Sequence, residues 1–547
     1  LITERGLVLM FPPLSFGGSH ADGGIEVTIP WADLREYLNP AAPATPACTA
    51  VRPRMVRTFD IFDTLIARHC IRPEPLFVEL ERRSGLNGLA IARQQAERQV
   101  ERGFYDLSDI YKVLSERLQL TLERTQEIAT LEVQLELENV VPIADQLAMV
   151  QAESVLVTDM YLPESAIAAL LQRAGLRFDV PIVRTSCGKR DGSVWEEFRQ
   201  QGLRCSHLGD NTHSDVDSAA RRGARATLST VAQPSLVEMH LYTNGFPEFA
   251  CTLRSMRLMS SRRGLPDWLY RCQTQLNLPV LVATAATLLG QLRQDDRRAA
   301  LFASRDGRLL KALFDALRDA SGEALPHSRY WYTSRCARTS GEPSYLEYCR
   351  HLLAERPMLI DLCGTGASLA KLFDALGLRD DQPAVFFCEY IEDEKQQTLL
   401  HSAYGLDGGP PMQVSSLLST RSFVDNEVLE LLNAVAEGMV RGVVPVAGHY
   451  LPLRDEWEFE GEIALLVRAQ ERFVGEAAGH LRTLATPALL EELTSRLPEL
   501  LSALHDAATM VADDLKVLMA TMLPAHRSNE ALVLGDLLER ASPPLGT

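Results

Sequence analysis

The sequence predicts an α/β protein with parallel sheets, and two observations carry that expectation. In the first half, short apolar runs end in a carboxylate or hydroxyl and open into a turn: Val56-Arg57-Thr58-Phe59-Asp60, Ser154-Val155-Leu156-Val157-Thr158-Asp159 and His207-Leu208-Gly209-Asp210. In the second half, strand-like and helix-like stretches alternate: a strand over 298–303, a turn over 304–308 and a helix over 309–317, then a strand over 357–361, a glycine-bearing loop over 362–368, a helix over 369–376 and a buried strand over 384–388. Open α/β sheets bind ligands outside the carboxyl ends of their strands, so chemistry-bearing residues there are the candidates.

The chain of 547 residues is long enough for roughly three to four domains. Hydrophobic and charged residues make up 46% and 23%, as in ordinary globular proteins. The net charge of −17 (55 − 72) argues against a nucleic-acid backbone or an anionic membrane as the main partner. Ten cysteines are scattered with no Cys-x-x-Cys pair, which speaks against a zinc site or a disulfide framework and for free thiols in a reducing cytoplasm. The first residues place Glu4 where a signal peptide would be basic. The longest near-apolar run, 279–289, is short of the ~20 residues a bilayer needs and reads as a buried helix. Residues 1–50, rich in Pro, Gly and Ala, read as a loosely structured lead-in with one short strand over 25–29 stopped by Pro30.

Taken in order, the first organised unit spans 51–235. Val56, Thr58 and Phe59 suit a short buried strand that delivers Asp60 to its carboxyl end, and Asp63 and Thr64 follow in a turn. Residues about 70–150 carry helical spacing, with faces at Leu76, Phe77, Leu80 and Leu86, at Ile110, Tyr111, Val113, Leu114 and Leu118, and at Ile128, Leu131, Leu135 and Leu137. Arg93, Glu97 and Arg98 lie a turn apart and are expected to form a solvated i, i+4 pair. A strand then ends at Thr158. Gly188-Lys189-Arg190-Asp191-Gly192 forms a cationic loop before a helix over 194–200, and Asp210-Asn211-Thr212-His213-Ser214-Asp215 closes the set with two carboxylates. Asn211 and His213 are read as turn formers. One carboxylate, one hydroxyl, one lysine and an acidic pair at strand ends suit phosphoryl chemistry: the carboxylate attacks phosphorus, Thr and Lys hold its oxygens, and the acidic loop holds Mg²⁺.

This ordered set resembles the haloacid dehalogenase (HAD) superfamily over roughly residues 51–230. The resemblance implies an HAD-type, Rossmann-like parallel sheet with a helical cap over about 70–150 that closes on the substrate. It implies Asp60 as the nucleophile that becomes an aspartyl-phosphate, Thr158 and Lys189 as the hydroxyl and lysine positions, and Asp60, the Phe62 carbonyl, Asp210 and Asp215 as Mg²⁺ ligands. One departure stands out. Phosphatases of the superfamily carry a general acid two residues after the nucleophile, and here that residue is Phe62. Asp63, one place on, is expected to point elsewhere. General acid–base help worth about 10²–10⁴ in rate is then missing unless the cap supplies it.

A second α/β domain is expected over 236–450. Its loop from Asp361 through Thr365, Gly366 and Ser368 is similar to the ribose-phosphate loop of type I phosphoribosyltransferases, which implies a ribose-binding acid at Asp361 and phosphate-binding amides and hydroxyls beyond it. That loop normally has two adjacent acids, and the first is Ile360 here; Ser304-Arg305-Asp306-Gly307 resembles the pyrophosphate loop only loosely. Asp-x-Phe-Asp-Thr-Leu, Thr-Asp-Met-Tyr-Leu-Pro, Gly-Asp-Asn and Ser-Arg-Asp-Gly together resemble a bacterial HAD-like group found with surface-polysaccharide genes, over about 51–450. Residues 451–547 read as helical, with apolar stripes over 463–473 and 497–518 that suit a core or a homo-oligomer interface.

Two functions follow as expectations. The first is a cytoplasmic, Mg²⁺-dependent HAD hydrolase or phosphotransferase acting on a small phosphorylated metabolite, a sugar or nucleotide, with neither nucleic acid nor membrane as partner. The alternative is a catalytically weakened HAD scaffold joined to a phosphate- or phosphoribosyl-binding module, acting in binding or assembly. A carbon–halogen dehalogenase also uses a non-acidic residue at the Phe62 position, but the intact acidic loop argues against it.

Overall fold

The computed structural model describes residues 2–3, 6–11, 25–30 and 54–525, apart from 102–104, 186, 295–296, 298, 324, 379–381, 393–397, 399–400, 403, 407–411, 420–425 and 458. The chain divides into two compact units, Leu1–Arg54 and Met55–Thr547. The first holds a three-stranded antiparallel sheet in the order β1 (Ile2–Thr3), β2 (Gly6–Phe11), β3 (Ile25–Pro30). Where the sequence pointed to one strand, three are present, and Pro30 ends β3 as its last residue, a position that needs no donor from it.

The second unit is mixed α/β with two five-stranded parallel sheets. The first sheet uses β4 (Arg54–Phe59), β7 (Val155–Thr158), β8 (Ile182–Arg184), β9 (Leu203–Gly209) and β10 (Arg225–Leu228), in the order β10-β9-β4-β7-β8. From β4 the chain steps to one side, and from β9 to the other. The strand order therefore reverses between β4 and β9, where a crevice opens at their carboxyl ends. Between β4 and β7 a short antiparallel ribbon, β5 (Ile66–Arg68) with β6 (Val140–Pro142), brackets four helices.

These helices are α1 (Glu74–Ser84), α2 (Leu89–Val100), α3 (Leu107–Leu118) and α4 (Leu122–Asn139). Local chemistry fixes their ends. Asp106 and Asp109 form a reciprocal capping box on α3, Thr121 caps α4, and Gly85 ends α1 in the left-handed region at φ 68°. The predicted faces at Leu76, Phe77 and Leu80, at Ile110, Tyr111 and Leu114, and at Ile128 and Leu135 are buried together.

Arg93 corrects the expectation of a solvated pair. Its bond to Glu97 forms at 2.8 Å, but the guanidinium is fully buried. Its fork binds both oxygens of Glu132 on α4 at 2.8 and 2.7 Å, and the rings of Phe77 and Tyr161 cover it at 4.9 and 5.0 Å. The i, i+4 spacing was read correctly, but spacing does not say which way a face turns. Here it turns onto α4, and a bidentate partner offsets the desolvation.

The second sheet runs β12 (His327–Trp331), β11 (Ala299–Ala303), β13 (Met358–Gly364), β14 (Val385–Tyr390), β15 (Val414–Ser419), all neighbours parallel. The predicted strands are β11, β13 and β14, and the predicted helices fall inside Gly307–Ser321 and Ala367–Leu376. A hairpin, β16 (Val440–Val446) with β17 (His449–Arg454), precedes helices Gly461–Leu484, Pro487–Ser495 and Leu497–Met510. Their apolar stripe, including Leu466, Phe473, Val474 and Leu481, is buried in one core with Phe249, Leu281, Leu288, Phe302 and Phe386.

Among the described residues one helical stretch, Asp267–Arg293, is long and apolar enough by composition to cross a bilayer, and 83% of its apolar window is buried inside the protein. It exceeds the run read from sequence because the helix continues unbroken through a π-helical turn at Gln273–Asn277. Among the described residues, nine cysteines are all free thiols.

Candidate active site

Asp60 follows the last residue of β4, and its backbone N–H donates to the Leu208 carbonyl of β9 at 2.9 Å. The carboxylate is thereby fixed at the point where the strand order reverses. It is buried and fully engaged: Lys189 Nζ donates to Oδ1 at 2.5 Å and Thr64 Oγ1 to Oδ2 at 3.2 Å. Lys189 was expected in a loop; it sits in a one-turn helix, Gly188–Asp191, and reaches Asp215 Oδ1 as well, at 2.9 Å. Asp210 leaves the end of β9 and Asp215 lies in the π-helical turn Thr212–Asp217. Oxygens of Asp60, Asp210 and Asp215 all lie within 4.8 Å of one another.

The acidic turn is held by short-range chemistry. Asn211 Oδ1 accepts from the backbone N–H groups of His213 and Ser214, at 2.9 and 3.0 Å, which is the turn-forming role expected of it. Gly209 is required by close approach: a Cβ there would lie 2.5 Å from Cβ and Cγ of Asp215. Asp215 is completely buried, and its oxygens accept from Lys189, from the Asn211 N–H at 3.0 Å, and from His207 Nε2 at 3.3 Å. His207 itself meets Thr58 Oγ1 through Nδ1 at 3.0 Å and packs on Trp195 at 4.5 Å. His207 thus bridges Thr58 and Asp215, with Nε2 facing the carboxylate.

The electrostatics follow from this crowding. Burial raises the Asp60 carboxyl above its usual range, against the attraction of Lys189. Burial, reinforced by the charges of Asp60, Asp63 and Asp215, pushes Asp210 up to about 7. Burial works the same way on Asp215, but the His207 hydrogen bond and the Lys189 charge outweigh it and hold that group at about 2. Burial lowers the Lys189 ammonium, but Asp60 and Asp215 outweigh it and raise the group above its ordinary value. Three carboxylates thus face one ammonium, and an all-oxygen donor set with excess negative charge suits a hard divalent cation.

Above this floor lies a cleft of about 460 Å³. Thr158 lines it from the end of β7, its Oγ1 accepting from the Met160 N–H at 3.2 Å. Phe77, Glu97 and Tyr105 line it from the helical insertion. Phe62 also lines it, with the Arg68 guanidinium over its ring at 5.1 Å, and Arg68 is itself held by both oxygens of Glu136. Asp63 stands at the rim with φ 54°, half exposed and paired with Arg254 at 3.3 Å. Sequence reasoning missed two participants. His207 carries no signal in the sequence beyond its place before Leu208-Gly209-Asp210, and Asp159 none beyond its place after Thr158. Asp159 lines the cleft, has a buried Oδ1 with no hydrogen-bond partner, and is pushed up to about 6 by burial, against the pull of Lys189.

The second predicted site, Asp361 to Ser368, lies on the other sheet, where the strand order reverses between β11 and β13. Asp361 sits inside β13 with Oδ2 accepting from Arg338 Nη2 at 2.8 Å and Oδ1 from the Leu362 N–H at 3.0 Å. Arg338, not anticipated from sequence, also reaches Thr333 Oγ1 at 3.0 Å and Ser368 Oγ at 3.3 Å, and stacks on Trp331 at 5.0 Å. Thr365 Oγ1 accepts from the Ala367 N–H at 3.4 Å, and Gly366 adopts φ 77°. Asp361 thus lies in the strand, Thr365 and Gly366 in the turn and Ser368 in the following helix, with the acid already paired. No family model matches the chain, and no curated protein matches it.

Proposed function

We propose that this chain is a Mg²⁺-dependent hydrolase or phosphotransferase of the HAD type, acting on a small phosphorylated metabolite through Asp60. The observation that carries the reading is the convergence of Asp60, Thr158, Lys189, Asp210 and Asp215, from four separate stretches of chain, on one crevice. The bracketing of four helices by β5 and β6 fits a cap, and a cleft of about 460 Å³ is of a size to hold a sugar or nucleotide phosphate.

In this reading Asp60 attacks phosphorus and carries the phosphoryl group, while the Lys189 ammonium and the Thr158 hydroxyl donate to its oxygens. The Lys189 ammonium at 2.5 Å opposes the effect of burial and so favours the ionised, nucleophilic form of Asp60. Asp60, the Phe62 carbonyl, Asp210 and Asp215 would hold Mg²⁺, and the bound ion supplies positive charge to the transferring group. His207 and the Asn211 amide orient Asp215 from behind. The test is turnover of an aryl phosphate with Mg²⁺. Activity in the wild type that disappears in Asp60→Asn supports the reading, and a wild type inert to phosphate esters moves the balance to a binding or assembly role.

A further inference from the structure

We infer that Asp159 is the proton donor to the leaving group, in place of the acid that Phe62 displaces. This rests on the hydrolase reading above and adds to it a catalytic residue in the sheet rather than in the cap.

Three observations carry it. The position two residues after Asp60 is closed to proton transfer: Phe62 has no exchangeable proton and lies under the Arg68 guanidinium. Asp63 also borders the cleft, but its carboxylate is half exposed and bound to Arg254 at 3.3 Å. Asp159, by contrast, follows the last residue of β7, the strand hydrogen-bonded to β4, so it stands on the same crevice edge as Asp60 and beside Thr158. Its carboxyl lines the cleft, accepts from the Lys189 backbone N–H, and has a buried Oδ1 left without any partner. A buried, unpartnered carboxylate oxygen is costly as an anion and is relieved when it carries a proton. A phosphate ester in the cleft brings a bridging oxygen that can accept from such an O–H.

The charges around Asp159 agree. Lys189 from the one-turn helix opposes burial, while Asp60 from the end of β4 and Asp215 from the acidic turn reinforce it, and the group is pushed up to about 6. Arg68, Glu97, Tyr105, Arg190, Asp210 and His213 also line the cleft, and the Cys187 thiol feels the Asp159 charge. An acid in that range is partly protonated near neutral pH, the condition for donating efficiently.

The step balances. As a bond forms from Asp60 to phosphorus, the bond from phosphorus to the leaving oxygen breaks, and that oxygen takes the proton of Asp159 Oδ1. In the second half a water attacks phosphorus, gives its proton to Asp159, and the bond to Asp60 breaks. One ester and one water yield one alcohol and one phosphate, and both carboxyl groups return to their starting states.

The experiment is kcat/KM with Mg²⁺ across alkyl and aryl phosphates of graded leaving-group acidity. Wild type is expected to depend weakly on the leaving group and to lose activity on alkyl esters as pH rises, since only the protonated acid donates. Asp159→Asn is expected to lose about 10²–10⁴-fold on alkyl esters, less than about tenfold on p-nitrophenyl phosphate, and to regain alkyl turnover when Phe62→Asp is added. Equal loss on both ester classes, or no loss on either, overturns the role of Asp159 while leaving the nucleophile intact. A steep dependence in the wild type overturns it without any variant. A wild type inert to all esters overturns the hydrolase reading, and this inference with it.

Discussion

The two parallel sheets place acids at matching points and treat them differently. Both reverse strand order between neighbouring strands, β4 and β9 in one, β11 and β13 in the other. At the first reversal three carboxylates face one lysine, Asp159 keeps an oxygen without a partner, and Asp210 is pushed up to about 7 by burial and like charge. At the second, Asp361 is matched one-to-one by Arg338, whose remaining donors go to Thr333 and Ser368. Topology alone therefore offers a crevice twice. In the function proposed above, the unresolved charge at the first crevice is where a ligand completes the site, since perturbed, under-partnered carboxylates cluster at functional sites.

The comparison breaks most visibly through turnover. Asp60→Asn should remove aryl phosphate hydrolysis by about 10⁴-fold or more, whereas Asp63→Asn, at a half-exposed residue held by Arg254, should keep a measurable rate. Equal losses in steady-state assays would make Asp63 a direct participant.

Next in size is the closed pair of the second sheet. Arg338→Ala strands Asp361 and strips donors from Thr333 and Ser368, so denaturant unfolding should show a loss of about 3 kcal/mol with kcat on aryl phosphates unchanged. A drop in kcat at full stability would mean that the second crevice serves the reaction.

Cation binding sharpens the contrast further. Mg²⁺ at about 100-fold over its Kd should stabilise the wild type by about 2.7 kcal/mol. Asp210→Asn should abolish that gain, and Asp361→Asn should keep it; the reverse pattern in thermal melts would put the cation on the wrong sheet. The smallest effect belongs to Gly366→Ala. It forces a side chain to φ 77° and toward the terminal methyl of Met412, and should lower stability by about 1 kcal/mol. Calorimetry with phosphoribosyl pyrophosphate and Mg²⁺ completes that test: binding there must first displace Arg338 from Asp361.

What the sequence made legible follows the range of each interaction. The run from Val56 to Asp60, the acidic turn and the helical faces of 74–139 are local patterns, and they were readable because a strand end, a cap and an apolar face are each written within a few residues. Partners from distant chain were not. Arg338 meets Asp361 across 23 positions, and His207 meets Thr58 across 149. Arg93 was misread for the same reason, since Glu132 lies 39 residues away. Strand β12, His-Ser-Arg-Tyr-Trp, escaped because an edge strand with alternating exposure carries little apolar signal.

Crystals soaked with Mg²⁺ and beryllium fluoride test the central claim most directly. A competent nucleophile traps the phosphoryl mimic, so the expected result is beryllium bound to an Asp60 oxygen, with its fluorides near Lys189 and Thr158 and a cation at Asp210. Beryllium fluoride absent from Asp60, or lodged instead beside Arg338 and Ser368, would contradict it.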